Sequence, residues 1–176
     1  MGLRKLELND AHEMLEWMHD NEVIGLLPTH FNEMTLDDCE NFIKSSQKDR
    51  TDNIHFAVCN EANEYLGTIS LKNVDYKNKN AEYAIVLTKK AIGKGVARTA
   101  TTEILTYAFD TLKLERVYLC VFRDNLRARK FYEKYGFKFE GEFRKHMYGA
   151  YDNVLHDLQW YGILKEEFDN MISGES

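Results

Sequence analysis

A chain of 176 residues, 30% of them charged and 44% hydrophobic, is long enough for one substantial core and is balanced like a globular protein rather than a disordered one. Its formal net charge of -6 excludes a broad nucleic-acid surface, because no excess of lysine and arginine is left to neutralise a phosphate backbone, but it does not exclude a small basic pocket. Three dispersed cysteines, Cys39, Cys59 and Cys120, make neither a disulfide framework nor a paired metal motif. There is no 18-residue apolar run and no signal-peptide pattern in Met1 to Glu7, so a soluble cytoplasmic protein without direct membrane contact is the expectation.

Leu3 to Leu8 half-alternates like a first strand. Asn9 or Asp10 is placed to cap a helix running through Ala11, Met14, Leu15 and Met18, with Trp17 beside that face. Asn21 to Met34 carries the only proline and reads as an irregular segment rich in large side chains, suited equally to shaping a pocket or to packing as a plain loop. Thr35, with Asp38 three residues on, starts a second helix whose apolar side is Leu36, Cys39, Phe42 and Ile43. Ile54 to Cys59, Tyr65 to Val74 and Ala81 to Leu87 then read as a meander of strands joined by polar turns. A helix follows from Val96 to about Leu112, a strand from Arg116 to Phe122, and a helix from Leu126 to Tyr135 that stops at Gly136. Strands at Phe137 to Phe143 and Asn153 to Tyr161 complete a mixed sheet, and Leu164 to Ile172 is a short terminal helix. The order is that of one α/β domain, with no linker, repeat or low-complexity stretch on which to divide residues 1–176.

The connection Gly93-Lys94-Gly95-Val96-Ala97 falls between a strand and a helix start. First-turn amides of a helix have no intrahelical acceptor, and glycines let the backbone curl so that several N–H groups converge on an anion. A P-loop is excluded, since no Gly-Lys-Ser/Thr ends the run, and so is a dinucleotide fingerprint, since Arg98 stands where a small residue is needed. A glycine-rich helix start that binds nothing is the ordinary alternative.

The second informative stretch is Asn125 to Phe137. Asn125 sits where strand gives way to helix, and its amide can donate and accept; Ala128 is small enough for close approach; Tyr132, one turn further, can offer a hydroxyl proton to the same ligand. Gly93-Lys94-Gly95-Val96-Ala97 followed by Asn125-x-x-Ala128-x-x-x-Tyr132-x-x-x-Gly136-Phe137 resembles the acetyl-CoA-binding core of the GNAT family of N-acetyltransferases, in the branch of the ribosomal-protein alanine and spermidine acetyltransferases. The resemblance spans residues 3–165 and is densest over 81–137. It implies a GNAT-like sheet, mostly antiparallel and splayed around an acetyl-CoA site, with helices on both faces. It further implies that Ile92, Gly93, Lys94, Gly95, Val96 and Ala97 cradle the pyrophosphate, that the strand ending at Leu87 and the strand at Tyr118 to Val121 part to admit pantetheine, and that Asn125 and Ala128 meet that arm. Tyr132 then protonates the departing thiolate, and Glu82 resembles the acidic residue that deprotonates the amine, with a solvent-facing edge residue as its ordinary alternative. The family loop usually opens with Gln or Arg where this chain has Ile92, which implies weaker or rearranged cofactor contacts.

A solvated helix face is the ordinary reading of Arg123, Arg127, Arg129 and Lys130, but they flank the expected cofactor edge, and Lys130 is assigned to it. The six histidines have no zinc-ligand spacing, so no metal is expected. For the acceptor, Trp17, His30, Phe31 and Tyr151 suit stacking on or hydrogen bonding to an amino sugar, and Glu22, Glu33, Asp37, Asp38 and Glu40 suit equally the attraction of a polyamine or an ordinary hydrophilic surface. A small-molecule amine, polyamine or amino sugar, ranks above a protein N-terminus, and a catalytically silent acyl-CoA-binding module is the alternative of another class. Phe139, Phe143, Met147, Trp160 and Tyr161 offer aromatic surface for a homodimer.

Overall fold

Antiparallel pairings and two helical crossovers arrange seven strands into one sheet. A computed structural model describes residues 1–48 and 52–174. In chain order the elements are β1 (Gly2–Lys5), α1 (Ala11–Met18), α2 (Asn21–Ile24), α3 (Leu36–Ser46), β2 (Ile54–Cys59), β3 (Tyr65–Asp75), β4 (Asn80–Leu87), α4 (Val96–Thr106), β5 (Arg116–Phe122), α5 (Leu126–Tyr135), β6 (Lys138–Tyr148), β7 (Leu155–Leu164) and α6 (Lys165–Ser173). The strands lie in the order β1-β2-β3-β4-β5-β7-β6 and are antiparallel except for the β4–β5 pair. This is the mixed, mostly antiparallel α/β sheet expected from the sequence.

Helices cover both faces because alternate strand residues supply two cores. On one face Ile69, Leu71, Tyr83, Val117 and Leu119 pack against Ile104 and Phe109 of the α4 segment, Tyr135 of α5 and Phe168 of α6. On the other, Met14, Trp17 and Met18 of α1 with Cys39 and Ile43 of α3 pack over Ala57 and Tyr65. The second helix starts as read, with a reciprocal Thr35–Asp38 capping box.

Several boundaries move, each for a local reason. The first strand ends at Lys5, because the Asp10 carboxylate accepts from the Glu7 N–H at 2.8 Å and from both terminal nitrogens of Arg4 at 2.7 and 2.8 Å, which folds Leu8–Asp10 into a 3-10 turn. The segment read as irregular contains α2, capped by the Asp20 carboxylate, which accepts from the Glu22 N–H at 2.9 Å. The long helix widens into a π turn over Tyr107–Thr111. The edge strand β6 runs five residues beyond Phe143 through Arg144, Lys145 and His146, whose polarity hid it; register shifts between Phe139 and Gly141 and between Phe143 and Met147 break its alternation.

Candidate active site

The site begins where the sheet comes apart. β4 and β5 share only Asn80 with Arg116, Ala81 with Val117 and Glu82 with Tyr118, and beyond Glu82 the two strands pair no further. β4 continues to Leu87 along β3, and β5 continues to Phe122 along β7. A cavity of about 920 Å³ runs through the opening, walled by Glu82 to Leu87 on one side and Cys120 to Phe122 on the other. Gly67 holds the far edge of that wall: a Cβ there would collide with the Val86 carbonyl and lie 2.9 Å from the Leu87 Cα. Only glycine lets β3 press this closely on the end of β4.

One half of the cavity is lined by the β4–α4 connection and by α5. Gly93 and Gly95 have φ of +78° and +77°, and a side chain at either would meet nothing within 4 Å. No side chain caps α4, so its first-turn amides are left to a ligand. Ile92, Gly93, Gly95 and Ala97 lie on the wall. Lys94 is exposed and Val96 is buried in the core, and neither side chain is part of the lining. Asn125 and Ala128 are lining residues, but the Asn125 side-chain Oδ1 accepts the Ala128 N–H at 3.2 Å as the N-cap of α5, which leaves its NH₂ group for a ligand. Arg98, Arg127 and Lys134 also reach the cavity.

The basic cluster therefore divides. Arg123 pairs with Asp157 and Glu142, Arg129 donates to the Arg123 carbonyl at 2.9 Å, and Lys130 is exposed outside the cavity wall. Of the four lysines and arginines on the lining among the described residues, Lys72, Arg98 and Lys134 escaped the sequence reading. Lys134 lies two helical turns after Arg127 on the same face of α5, so the 3.6-residue period could have linked the two.

At the junction of the halves stand Tyr132, Cys120 and Glu82. The Tyr132 ring is fixed edge-on against Tyr83 and Phe137, with centroids 6.0 and 5.8 Å apart. Burial, and secondarily Cys120, raises its pKa, so the phenol keeps its proton across the neutral range. Burial first and Glu82 second also push the Cys120 thiol up, so it does not stand there as a thiolate. Glu82 is no solvent-facing edge residue. One carboxylate oxygen takes Lys72 Nζ at 2.7 Å and the other takes Asn73 Nδ2 at 3.0 Å, across the β3–β4 register.

The other half lies beneath α1, α3 and residues 25–34. Trp17 and Phe31 meet edge-on at 5.1 Å on its wall, and Trp17 Nε1 donates to the Tyr65 hydroxyl at 3.0 Å. Met14, Met18, Met34 and Phe42 extend this apolar lining and were not singled out from sequence, because nothing in a helical stripe distinguishes core from cavity wall. His30 and Tyr151 do not line this cavity. Instead the Tyr151 hydroxyl accepts from the Phe31 N–H at 2.8 Å and donates to the Thr29 carbonyl at 2.9 Å, strapping the segment in place. Nearby, His156 bridges Asp152 at 2.8 Å and Asp124 at 3.2 Å while stacked on Phe122. No cluster of metal-ligating side chains exists among the described residues.

A sheet parted between β4 and β5, with a glycine-built helix start on one side of the opening and a buried tyrosine within it, defines an acyl-CoA-dependent acetyltransferase fold. The chain belongs to the GNAT acetyltransferases: the model of the acetyltransferase (GNAT) domain matches residues 1–138. Acetyl-CoA is the acetyl donor of that family. The chain is 38% identical over 103 residues to "Putative ribosomal N-acetyltransferase YdaF" of Bacillus subtilis, a match that spans 58% of this chain and 55% of that protein. It is 29% identical over 159 residues to the spermidine N(1)-acetyltransferase of Vibrio cholerae, spanning 88% of this chain and 89% of that one. The crystal structure of the Vibrio cholerae spermidine N-acetyltransferase, which holds CoA and spermine, superposes with a TM-score of 0.86 at 25% identity, over 96% of this chain and 97% of that chain.

Proposed function

We propose that this protein transfers the acetyl group of acetyl-CoA to a primary amine by direct attack of the amine on the thioester. The observation that carries the proposal is the continuity of one cavity from the uncapped, glycine-built start of α4, through the β4–β5 opening, to Tyr132 and Glu82. The donor brings a thioester carbonyl, whose C–S bond breaks as the C–N bond forms. The chain supplies positions and protons. The amides from Gly93 to Ala97 hold the pyrophosphate, with Arg98, Arg127 and Lys134 adding positive charge on the phosphate side. Asn125 Nδ2 donates to an amide of the pantetheine arm. Tyr132 gives its proton to the departing sulfur, and Glu82 takes the proton that the ammonium must lose. The raised pKa of Cys120 supports attack by the amine itself over a route through an acetyl-cysteine.

The acceptor is a small-molecule amine in this reading, which the spermidine-acetylating relatives support. Similarity to a protein named for ribosomal N-acetylation favours a second reading, acetylation of a protein N-terminus. Self-association belongs to the same proposal: β6 is an eleven-residue edge strand on which Phe139 and Phe143 are more than half exposed, the surface a homodimer would cover. No described helix is long and apolar enough to cross a membrane, which is compatible with a cytoplasmic enzyme. The testing experiment is thiol release from acetyl-CoA with a panel of amines and peptides, with the acetylated product identified by mass. No acetylated product from any member would reject the transferase reading and leave the silent module.

A further inference from the structure

The acceptor half of the cavity has a polar floor and an apolar roof, and the state of each polar group decides what fits. On the floor, His55 Nδ1 and Ser70 Oγ are 2.7 Å apart, the Thr68 hydroxyl is 2.7 Å from the Tyr65 hydroxyl, and Glu82 is held by Lys72 and Asn73. The roof is Met14, Trp17, Phe31, Met34 and Phe42, with a single carboxylate, Asp38. Both the Thr35 N–H, at 2.8 Å, and the Thr35 hydroxyl, at 2.6 Å, donate to that carboxylate as the cap of α3. Of the acidic residues that suggested a polycation from the sequence, Glu22 pairs with Lys89 and Glu40 with Lys44, and neither these two nor Glu33 and Asp37 line the cavity. Thus, among the described residues, Asp38 and Glu82 are the only carboxylates on the lining, one capping a helix and the other already facing a lysine.

From this charge inventory, and resting on the acetyltransferase reading above, we infer that the acceptor is a small primary monoamine carried on an aromatic or branched apolar body. A polyamine would bring two or three ammonium groups under a roof that offers no second carboxylate, and an unpaired cation away from water is strongly disfavoured. A monoamine needs one anionic partner at the reacting nitrogen, which Glu82 supplies, and it loses that charge on reaction. Its body then takes apolar surface out of water against the sulfur-containing and aromatic side chains of the roof, whose methionines adapt to the shape presented. The strap from Tyr151 to Thr29 and Phe31 holds the roof down over the body, which suits a compact molecule rather than a long one.

The test compares 2-phenylethylamine and isoamylamine with spermidine and with a tetrapeptide bearing an N-terminal phenylalanine, all at saturating acetyl-CoA. Binding of each amine to the CoA-loaded protein is measured by calorimetry alongside. The expected result is a kcat/KM for 2-phenylethylamine at least about tenfold above that for spermidine, the scale of discrimination an apolar pocket provides, with the same order in affinity. In Met34→Glu, checked for native folding by circular dichroism, the added roof carboxylate should narrow or invert the ratio. Equal or better use of spermidine by the wild-type protein overturns the inference while upholding the acetyltransferase reading, and so does acetylation of the peptide alone. A protein that binds CoA but acetylates nothing in the panel overturns both.

Discussion

The cofactor half of the cavity is made chiefly of backbone, and the acceptor half chiefly of side chains brought together from distant parts of the chain. In the first half, two left-handed glycines and a helix start without a side-chain cap form the proposed anion site from backbone, whatever the surrounding side chains are. In the second, a hydroxyl at Tyr151 fixes the backbone of Phe31 across 120 residues of sequence. Backbone-built sites tolerate side-chain drift and therefore recur across a family. Side-chain-built sites change acceptor without changing fold, which is why membership of the GNAT family identifies the donor far more firmly than the amine.

The strongest way to break the comparison is at the junction of the two halves. Tyr132→Phe keeps the ring packed between Tyr83 and Phe137 and removes only the hydroxyl, so turnover should fall by about 10²-fold or more, the range for a positioned general acid. Acetyl-CoA affinity should hardly move, since neither the glycine loop nor the Asn125 cap is touched. Retained turnover, followed by thiol release, would hand the proton to water or to another residue.

Gly95→Val tests the backbone-built half. The valine side chain has room, with nothing within 4 Å, but a β-branched residue at φ +77° is strained. A strain of about 1–2 kcal/mol corresponds to roughly a tenfold weaker acetyl-CoA dissociation constant, measured by calorimetry. The apolar roof and the fold should be unaffected. Unchanged affinity would mean that the anion site is not built by these amides.

That half was legible in the sequence for a physical reason. Glycines at a strand–helix junction, and Asn, Ala and Tyr at helical spacing, mark local geometry, and local geometry is what short motifs encode. The charges of the acceptor half were not legible because they are settled by tertiary pairing: nothing in the run Glu22 to Glu40 shows that Lys89 and Lys44 neutralise two of its members or that the Asp38 carboxylate serves as a helix cap. Tyr151 and His30 were read as acceptor contacts, yet the structure uses Tyr151 as a strap, with the His30 ring 6.0 Å away beside it. Glu82 was found in sequence, but its partner Lys72 lies on the neighbouring strand and follows only from the β3–β4 register.

Glu82→Gln sharpens the comparison more gently. It removes the negative charge facing Lys72 and the proposed acceptor nitrogen, so kcat/KM should fall near neutral pH and partly recover as pH rises and free amine comes from solution. A proportional loss at every pH, measured with the acceptor identified, would make Glu82 a structural partner of Lys72 alone.

The smallest expected effect lies away from the cavity wall, where His156 bridges Asp152 and Asp124. Burial opposes charge on His156, but Asp152 and Asp124 outweigh it and raise the imidazole pKa above its ordinary value of about 6.5. A group with a raised folded pKa contributes stability in full below its unfolded pKa and loses it as pH rises through the folded one. The midpoint of urea unfolding should therefore decline as pH climbs from about 6.5 through the raised value, and His156→Gln should flatten that decline. A wild-type midpoint independent of pH across this window would show that the two aspartates do not hold a charged imidazole.

The most direct measurement of the central claim is a mass balance on one reaction mixture: CoA thiol released, acetyl-CoA consumed and acetylated amine formed, in wild-type protein and in Tyr132→Phe. The account predicts one acetylated amine for every thiol released, at a rate that depends on the amine and collapses in the tyrosine variant. Thiol release without acetylated amine, or at the same rate in both proteins, would contradict it.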